Sequence, residues 1–457
     1  MKENNSHSNE LYTGSIPKKM FLFAIPLFLT GILQLLYNAA DMIVVGRFAG
    51  TAALSAVGAT SQLINLFINL FTGLALGASV VASRYFGAND DEGLSQTVHT
   101  SIALSVVAGI FITIIGCTLA RPILVLMETP ADVLDGAVLY IRIFFSGMVF
   151  NMVYTYGAAV LRAIGDTKRP LLFLTIAGIV NVILNLIFVI VFKLGVAGVG
   201  LATISSQAIS MVLVIRYLMK INGAARFSFK KLAFHKDKFA MLLKFGLPAG
   251  IQSSLFAFSN VIVQSSINIF GTAAVAGNTA ATNIDGFMMI VSLSFNQANI
   301  AFVSQNIGAK QYSRVRKSFF TASAMGLAFI VTLSSFAILF STQLISLYTN
   351  DPEVIAYGIE RLMFNATFQF FCMFMNVFGG QMQALGHAVL AMIISLCGGC
   401  MLRIVWIYTI FTMFPTLRNL YVSYAASWGI TALVHFIFIM YFFRKFPKED
   451  CPLPNRV

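Results

Sequence analysis

The chain has 457 residues, of which 58% are hydrophobic and only 10% charged, and its mean hydropathy is positive. Soluble domains average about 25% charged residues, so this composition excludes a water-soluble fold for most of the length and makes the bilayer its solvent. The formal charge of +13 does not point to nucleic acid, because the cations fall in short loops between apolar runs rather than along one polar face.

Residues 1–19 are polar and lack the apolar core of a cleaved signal peptide, so they read as a cytoplasmic tail and the first apolar run as a retained helix. A spanning helix needs about 20 mostly apolar residues. Such runs fall at 20–46, 53–82, 96–119, 133–161, 170–192 and 197–220, and an N-lobe is expected over 20–220. The stretch 221–238 is polar and basic and reads as a cytoplasmic linker. Further runs follow at 240–269, 274–303, 317–340, 354–383, 388–413 and 420–443, giving a C-lobe over 239–443 and a cytoplasmic tail over 444–457. The expected class is an all-α membrane protein of twelve transmembrane helices. Within the eleventh run, Cys397-Gly-Gly-Cys400 matches a CxxC spacing, but its apolar setting offers no other soft ligand. Close helix packing through small residues is the reading there, with no metal site.

Lys and Arg concentrate on one side of these runs. Lys18, Lys19, Arg84, Arg162, Lys168, the linker cations, Lys310, Arg314, Arg444 and Lys445 lie on the side of the N-terminus, whereas Arg47, Arg121, Lys193 and Arg418 lie on the other. That asymmetry places both termini in the cytoplasm, as an even helix count also requires. The halves also repeat each other. An offset of 221 carries Ser83-Arg-Tyr-Phe-Gly-Ala88 onto Ser304-Gln-Asn-Ile-Gly-Ala309, and Ala163-Ile-Gly165 onto Ala384-Leu-Gly386. One residue of slack pairs Pro26 with Pro248 and Asn38 with Asn260. Six helices per half give both halves one orientation, so a pseudo-two-fold axis along the membrane normal is expected, with a midline cleft suited to alternating access.

Four segments carry a family resemblance: Gln34-Leu-Leu-Tyr-Asn-Ala-Ala-Asp41-Met-Ile-Val-Val-Gly46, the loops Phe86-Gly-Ala-Asn-Asp and Ile307-Gly-Ala-Lys-Gln, and Leu161-Arg-Ala-Ile-Gly-Asp166-Thr-Lys. With them the chain resembles the multidrug and toxic compound extrusion (MATE) transporters from about Pro17 to Lys445. The resemblance implies a MATE-like fold and export of organic, mostly cationic and lipophilic compounds by antiport with protons or sodium. It implies cell-membrane localisation, with lipids and small organic cations as partners, and no cofactor beyond the coupling ion. The competing reading is a flippase or exporter of a cell-made lipid-linked or metabolite substrate. An enzyme is not expected, since no loop or helix end collects a nucleophile, a base and oxyanion donors.

Charge inside a bilayer is costly and marks function. Asp41 lies deep in the first helix with Gln34 and Asn38 on the same face, and a carboxylate there can bind a proton or coordinate sodium. By resemblance Asn181, Asn185 and Thr203 complete an ion-coupling cluster, although several family members carry an aspartate where this chain has Asn185. Asp285 in the eighth helix is the comparable acid of the second half; its repeat partner is Ile64. Gln34, Tyr37, Asn38, Asn151, Tyr154, Gln252, Asn260, Asn283 and Asn376 are expected to line the substrate cleft. Pro26 and Pro248 interrupt their helices and are expected to act as hinges. Glu360 and Arg361 begin the tenth helix and read as groups that pair or snorkel near the interface, and Arg142 and Arg403 as buried, paired groups without an assigned role.

Overall fold

The computed structural model describes residues 10–127, 129–447 and 449–451. The tail residues 1–9 and 452–457 expected to be cytoplasmic lie outside the described residues, as do Glu128 and Lys448.

Among the described residues the chain is all helical, with eleven helices long and apolar enough to cross a membrane and a twelfth span made of a bent pair. In chain order they are α1 (Ile16–Ala49), α2 (Thr51–Gly87), α3 (Asp91–Leu126), α4 (Ala131–Ser146 with Met148–Ala163), α5 (Lys168–Val191) and α6 (Gly195–Lys220). The second set is α7 (Lys236–Asn268), α8 (Thr272–Gly308), α9 (Tyr312–Leu339), α10 (Pro352–Leu385), α11 (Ala388–Phe411) and α12 (Leu417–Lys445). The helices outrun their apolar cores. Asp90 caps α3 by accepting from the Gly93 amide, and Asp351 caps α10 at Glu353, so polar first turns join the apolar runs. The expected span 133–161 is bent by 45° at Gly147. A Cβ there would run into Ile204, so the bend sits where only a glycine fits against α6.

The repeat is visible in the backbone itself. Asn89 and Lys310 take φ of 54° and 55°, Gly165 and Gly386 take 91° and 107°, and Gly50 and Gly271 take 88° and 91°. Each pair is separated by 221 residues. At Gly386 the left-handed conformation ends α10, a step that a side chain would strain. The π-helical end of α5 (Leu186–Val191) likewise recurs 221 residues on, in α11 (Ile407–Phe411).

The helices gather into two compact units whose limits do not follow the linker. One holds Leu29–Gly250; the other holds Leu11–Phe28 and the described residues from Ile251 onward. The physical reason lies in the early halves of α1 and α7. Gly73 and Gly77 of α2 meet Gly246 and Gly250 of α7 so closely that a Cβ on any of the four would fall on facing backbone. Two GxxxG faces thus lock the start of α7 into the first unit, where lipid gives no hydrophobic drive and close backbone packing supplies the attraction. In the second unit, Phe23 packs edge-on against Phe302 and Phe21 against Phe329, each at 6.0 Å, which holds the start of α1 there. Pro26 and Pro248 stand just before the points where these two helices change unit.

The linker is ordered against the first unit. His99 of α3 is 1% exposed and stacks on Phe227, itself 1% exposed. Its Nε2 accepts from the Ser228 amide (3.1 Å), so the ring proton sits on Nδ1, facing the Ser95 carbonyl at 2.7 Å. The His235 amide donates to Thr100 Oγ1.

Candidate functional site

In the first unit α1, α5 and α6 bring Asp41, Asn181, Asn185 and Thr203 together. Asn181 and Asn185 lie four residues apart on one face of α5 and are buried. Asn185 is the last residue before a π-helical stretch, and Asp41 lies four residues before the π turn Val45–Ala49 that ends α1. Such turns are frequent at functional sites. The Asn185 amide donates both to Asp41 Oδ1 (2.5 Å) and to Asn181 Oδ1 (3.2 Å). Its own Oδ1 is buried without a partner. The Thr203 hydroxyl has a single proton, and both the Asp41 carboxylate and the Val199 carbonyl (3.0 Å) are within its reach. Tyr140 of α4, buried and absent from the sequence-derived set, lies in the electrostatic field of Asp41.

The donor set is therefore carboxylate, amide and hydroxyl oxygen. Those are the ligands that hard cations take, and a carboxylate whose neighbours are neutral is also a proton site. The Asn185 oxygen, buried and without a hydrogen-bond partner among the described residues, is a further acceptor on the same side chain. No group of three or more His, Cys, Asp or Glu occurs among the described residues.

The other expected residues of this unit divide. Gln34 and Asn38 are exposed on α1 and Asn151 is half-buried on α4. Tyr37 and Tyr154 spend their hydroxyls on α5, donating to the Leu174 carbonyl (3.0 Å) and the Pro170 carbonyl (3.1 Å). The Tyr37 ring fills the space beside Gly178, where a Cβ would overlap it.

In the second unit Asp285 sits in a polar cluster. Its Oδ2 accepts from Asn365 Nδ2 (2.8 Å) and lies 3.8 Å from Arg361 Nε. Arg361 also donates to Asn278, whose amide donates to Gln264 at 3.0 Å. Of the two expectations for Arg361, pairing and snorkelling, the side chain takes the first and is only 5% exposed. The reason is that α10 starts at Pro352, so Arg361 lies nine residues in, about 13 Å along the axis. A signal was present, since Arg361 and Asn365 share a helix face with spacing four. Arg403 is buried and bonded to Ser427 and Asn260, whereas Arg142 is exposed and donates to the Cys117 carbonyl. Asn260 and Asn283 are exposed, Gln252 is half-buried, and Asn376 donates back to the Cys372 carbonyl (2.9 Å). Cys397 is exposed and Cys400 buried; a Cβ on the intervening Gly399 would meet the Phe256 ring.

The MatE family model matches the chain twice, over residues 26–187 and 248–409, one copy in each half. The chain is 27% identical over 390 residues to the probable multidrug resistance protein YpnP of Bacillus subtilis, covering 85% of this chain and 87% of that protein. It is 26% identical over 442 residues to the probable multidrug resistance protein YoeA of the same organism, covering 94% and 95%. In fold it is similar to the solved structure of a MOP superfamily transporter from Pyrococcus furiosus, with a TM-score of 0.91, 22% identity and coverage of 98% of this chain and all of that one.

Proposed function

Because the chain belongs to the MatE family of membrane transporters, we propose that it exports organic, mostly cationic and lipophilic compounds by antiport with protons or sodium. The observation that carries this reading is the oxygen cluster at Asp41, where an acid is hydrogen-bonded by a buried asparagine and has no ion pair among the described residues. Charge of that kind in an apolar helix demands a partner, and an incoming proton or sodium ion is that partner. Asp41 binds the ion, Asn181, Asn185 and Thr203 supply neutral oxygens, and occupancy selects the conformation that releases substrate. With one carboxylate and an amide at Asn185, a single proton or a single monovalent cation matches the charge of the cluster.

In this reading both termini face the cytoplasm of a cell membrane, the halves act as two lobes in alternating access, and Pro26 and Pro248 serve as hinges. Gln34, Tyr37, Asn38, Asn151, Tyr154, Gln252, Asn260, Asn283 and Asn376 contribute to substrate contacts. Asp285, already paired with Arg361, takes the secondary coupling role.

The test is reconstitution in vesicles under a pH gradient and, separately, a sodium gradient, following a fluorescent cationic dye. Asp41→Asn should lower gradient-driven transport at least about tenfold, the scale of losing one charge-assisted interaction. Full transport by that variant under either gradient would refute the coupling role. Parental transport by Asp285→Asn would remove Asp285 alone from the mechanism.

A further inference from the structure

Two guanidinium groups and one carboxylate lie buried together in the second unit, and their charges do not balance. Arg361 and Arg403, 5% and 2% exposed, both face the Tyr424 ring, at 5.7 and 4.5 Å from its centre. Asp285 answers Arg361. Arg403 has only neutral partners among the described residues. Its Nε donates to Ser427 Oγ (2.8 Å), its Nη1 to Asn260 Oδ1 (3.2 Å), and the Tyr424 and Trp428 rings lie at 4.5 and 5.6 Å.

An arginine cannot relieve such a position by losing its proton. Neutral oxygens and ring faces soften the charge without cancelling it, so an intramembrane guanidinium with no acid beside it calls for an anion. The helix carrying it is built irregularly around that residue. Two π-helical stretches, Leu396–Met401 and Ile407–Phe411, bracket the short α-helical piece Leu402–Trp406. The contacts also leave room at the group itself. The two hydrogen bonds use Nε and one Nη1 proton of a fork with five N–H donors, and no hydrogen bond of Nη2 is among them. Of these four partners Asn260 is the exposed one, so its amide is the contact an arriving ligand displaces.

We propose that Arg403, with Ser427, Tyr424 and Trp428, binds the carboxylate of a small amphiphilic compound, which displaces Asn260 and whose apolar body lies against the two rings. A planar carboxylate matches the planar guanidinium fork and pairs with it through parallel N–H···O bonds. The site goes beyond the proposed export of cations, because it adds acids and zwitterions to the compounds recognised and uses neither Asp41 nor a gradient.

The chain has two tryptophans, so Trp406→Phe leaves Trp428, beside the site, as the single tryptophan to be excited selectively over tyrosine. Purified Trp406→Phe protein in detergent is titrated with hexanoate and with hexylammonium, which share an apolar chain and differ in head charge. Hexanoate should shift Trp428 emission saturably and hexylammonium should not. Adding Arg403→Gln, with an unchanged melting temperature, should weaken hexanoate at least tenfold. Adding Asn260→Ala frees the Nη1 proton and should tighten it. No response, an equal response to both heads, or undiminished affinity in Arg403→Gln overturns the proposal. If Arg403→Gln does not fold, Asn260→Ala decides: unchanged or weaker hexanoate binding there is the overturning result. Dye efflux in vesicles is read separately, so failure of the export reading and failure of this site are distinguishable.

Discussion

Asp285 and Arg361 form a buried pair whose halves cannot be removed independently. The two side chains are 15% and 7% exposed, and deleting one partner leaves the other charge uncompensated in low dielectric. Such losses run to about 3–5 kcal/mol, whereas replacing both partners by apolar groups of similar size is often close to neutral. Arg361→Met should therefore destabilise the detergent-solubilised protein strongly, and Asp285→Leu with Arg361→Met should recover most of the loss, read as melting temperature in a double-mutant cycle. A double variant as unstable as Arg361→Met would show that Asp285 is held by something other than this arginine. Asp285 was conspicuous in the sequence as an acid in an apolar run. Its partner sits 76 residues away on α10, and only the packing of α8 against α10 joins them. By contrast, the set around Asp41 was named from the sequence because the family motif supplied α5 and α6. Tyr140 has no such motif and entered only through packing.

At the scale of elements, the GxxxG faces of α2 and α7 deserve a direct test. A Cβ added at Gly73 would sit within 2.3 Å of the Gly250 nitrogen and Cα, and backbone cannot rotate away as a side chain does. Gly73→Ala should push the two helices apart at a cost of about 1–3 kcal/mol, the range for overpacking a close contact. Gly58→Ala, where nothing lies within 4 Å of the added carbon, is the matched control. Equal melting temperatures for the two variants would contradict the close approach. Both GxxxG spacings were present in the sequence, yet spacing alone does not say which helix a small-residue face meets. Helix boundaries follow the same pattern. Apolar runs placed every span, and the capped polar turns beyond them came from Asp90 and Asp351, which an apolar window passes over.

At the scale of the whole molecule, the linker and the described chain next to the termini are held by side chains from distant elements. The linker is pinned through His99, Thr100 and Phe227. His99→Ala should speed tryptic cleavage at Lys230 and Lys231 severalfold while the helices stay intact, and an unchanged cleavage rate would show the pin to be unimportant. In the second unit the loop after α8 receives chain from both ends. Arg314 donates to the carbonyls of Leu11, Thr13 and Gly14, and the Cys451 amide donates to the Lys310 carbonyl. Asp450 accepts from the Ser313 amide (2.8 Å) and hydroxyl. Partial burial opposes its ionisation, but these bonds and the Lys317 charge hold its carboxyl below the usual carboxylate range. A depressed folded pKa contributes stability that is full above the ordinary value of about 3.9 and is lost as pH falls through the folded one. Hydrogen exchange near residues 446–451 should therefore be slow at neutral pH and rise as pH falls below about 4, after correction for the intrinsic rate. Asp450→Asn should exchange fast across the whole range.

The sequence by itself determined the solvent, the helix count and the duplication, because each is written in local composition or in a fixed offset. Bilayer thickness sets the length of an apolar run, and a repeat survives in turns whose backbone needs glycine, as at Gly165 and Gly386. Only the tertiary structure decided which half of α1 and of α7 belongs to which compact unit, which arginine answers Asp285, and that Arg403 has only neutral partners among the described residues. Those are questions of which surfaces meet. In a membrane they are settled by backbone approach and by pairing of the few polar groups, which leave little trace in hydropathy.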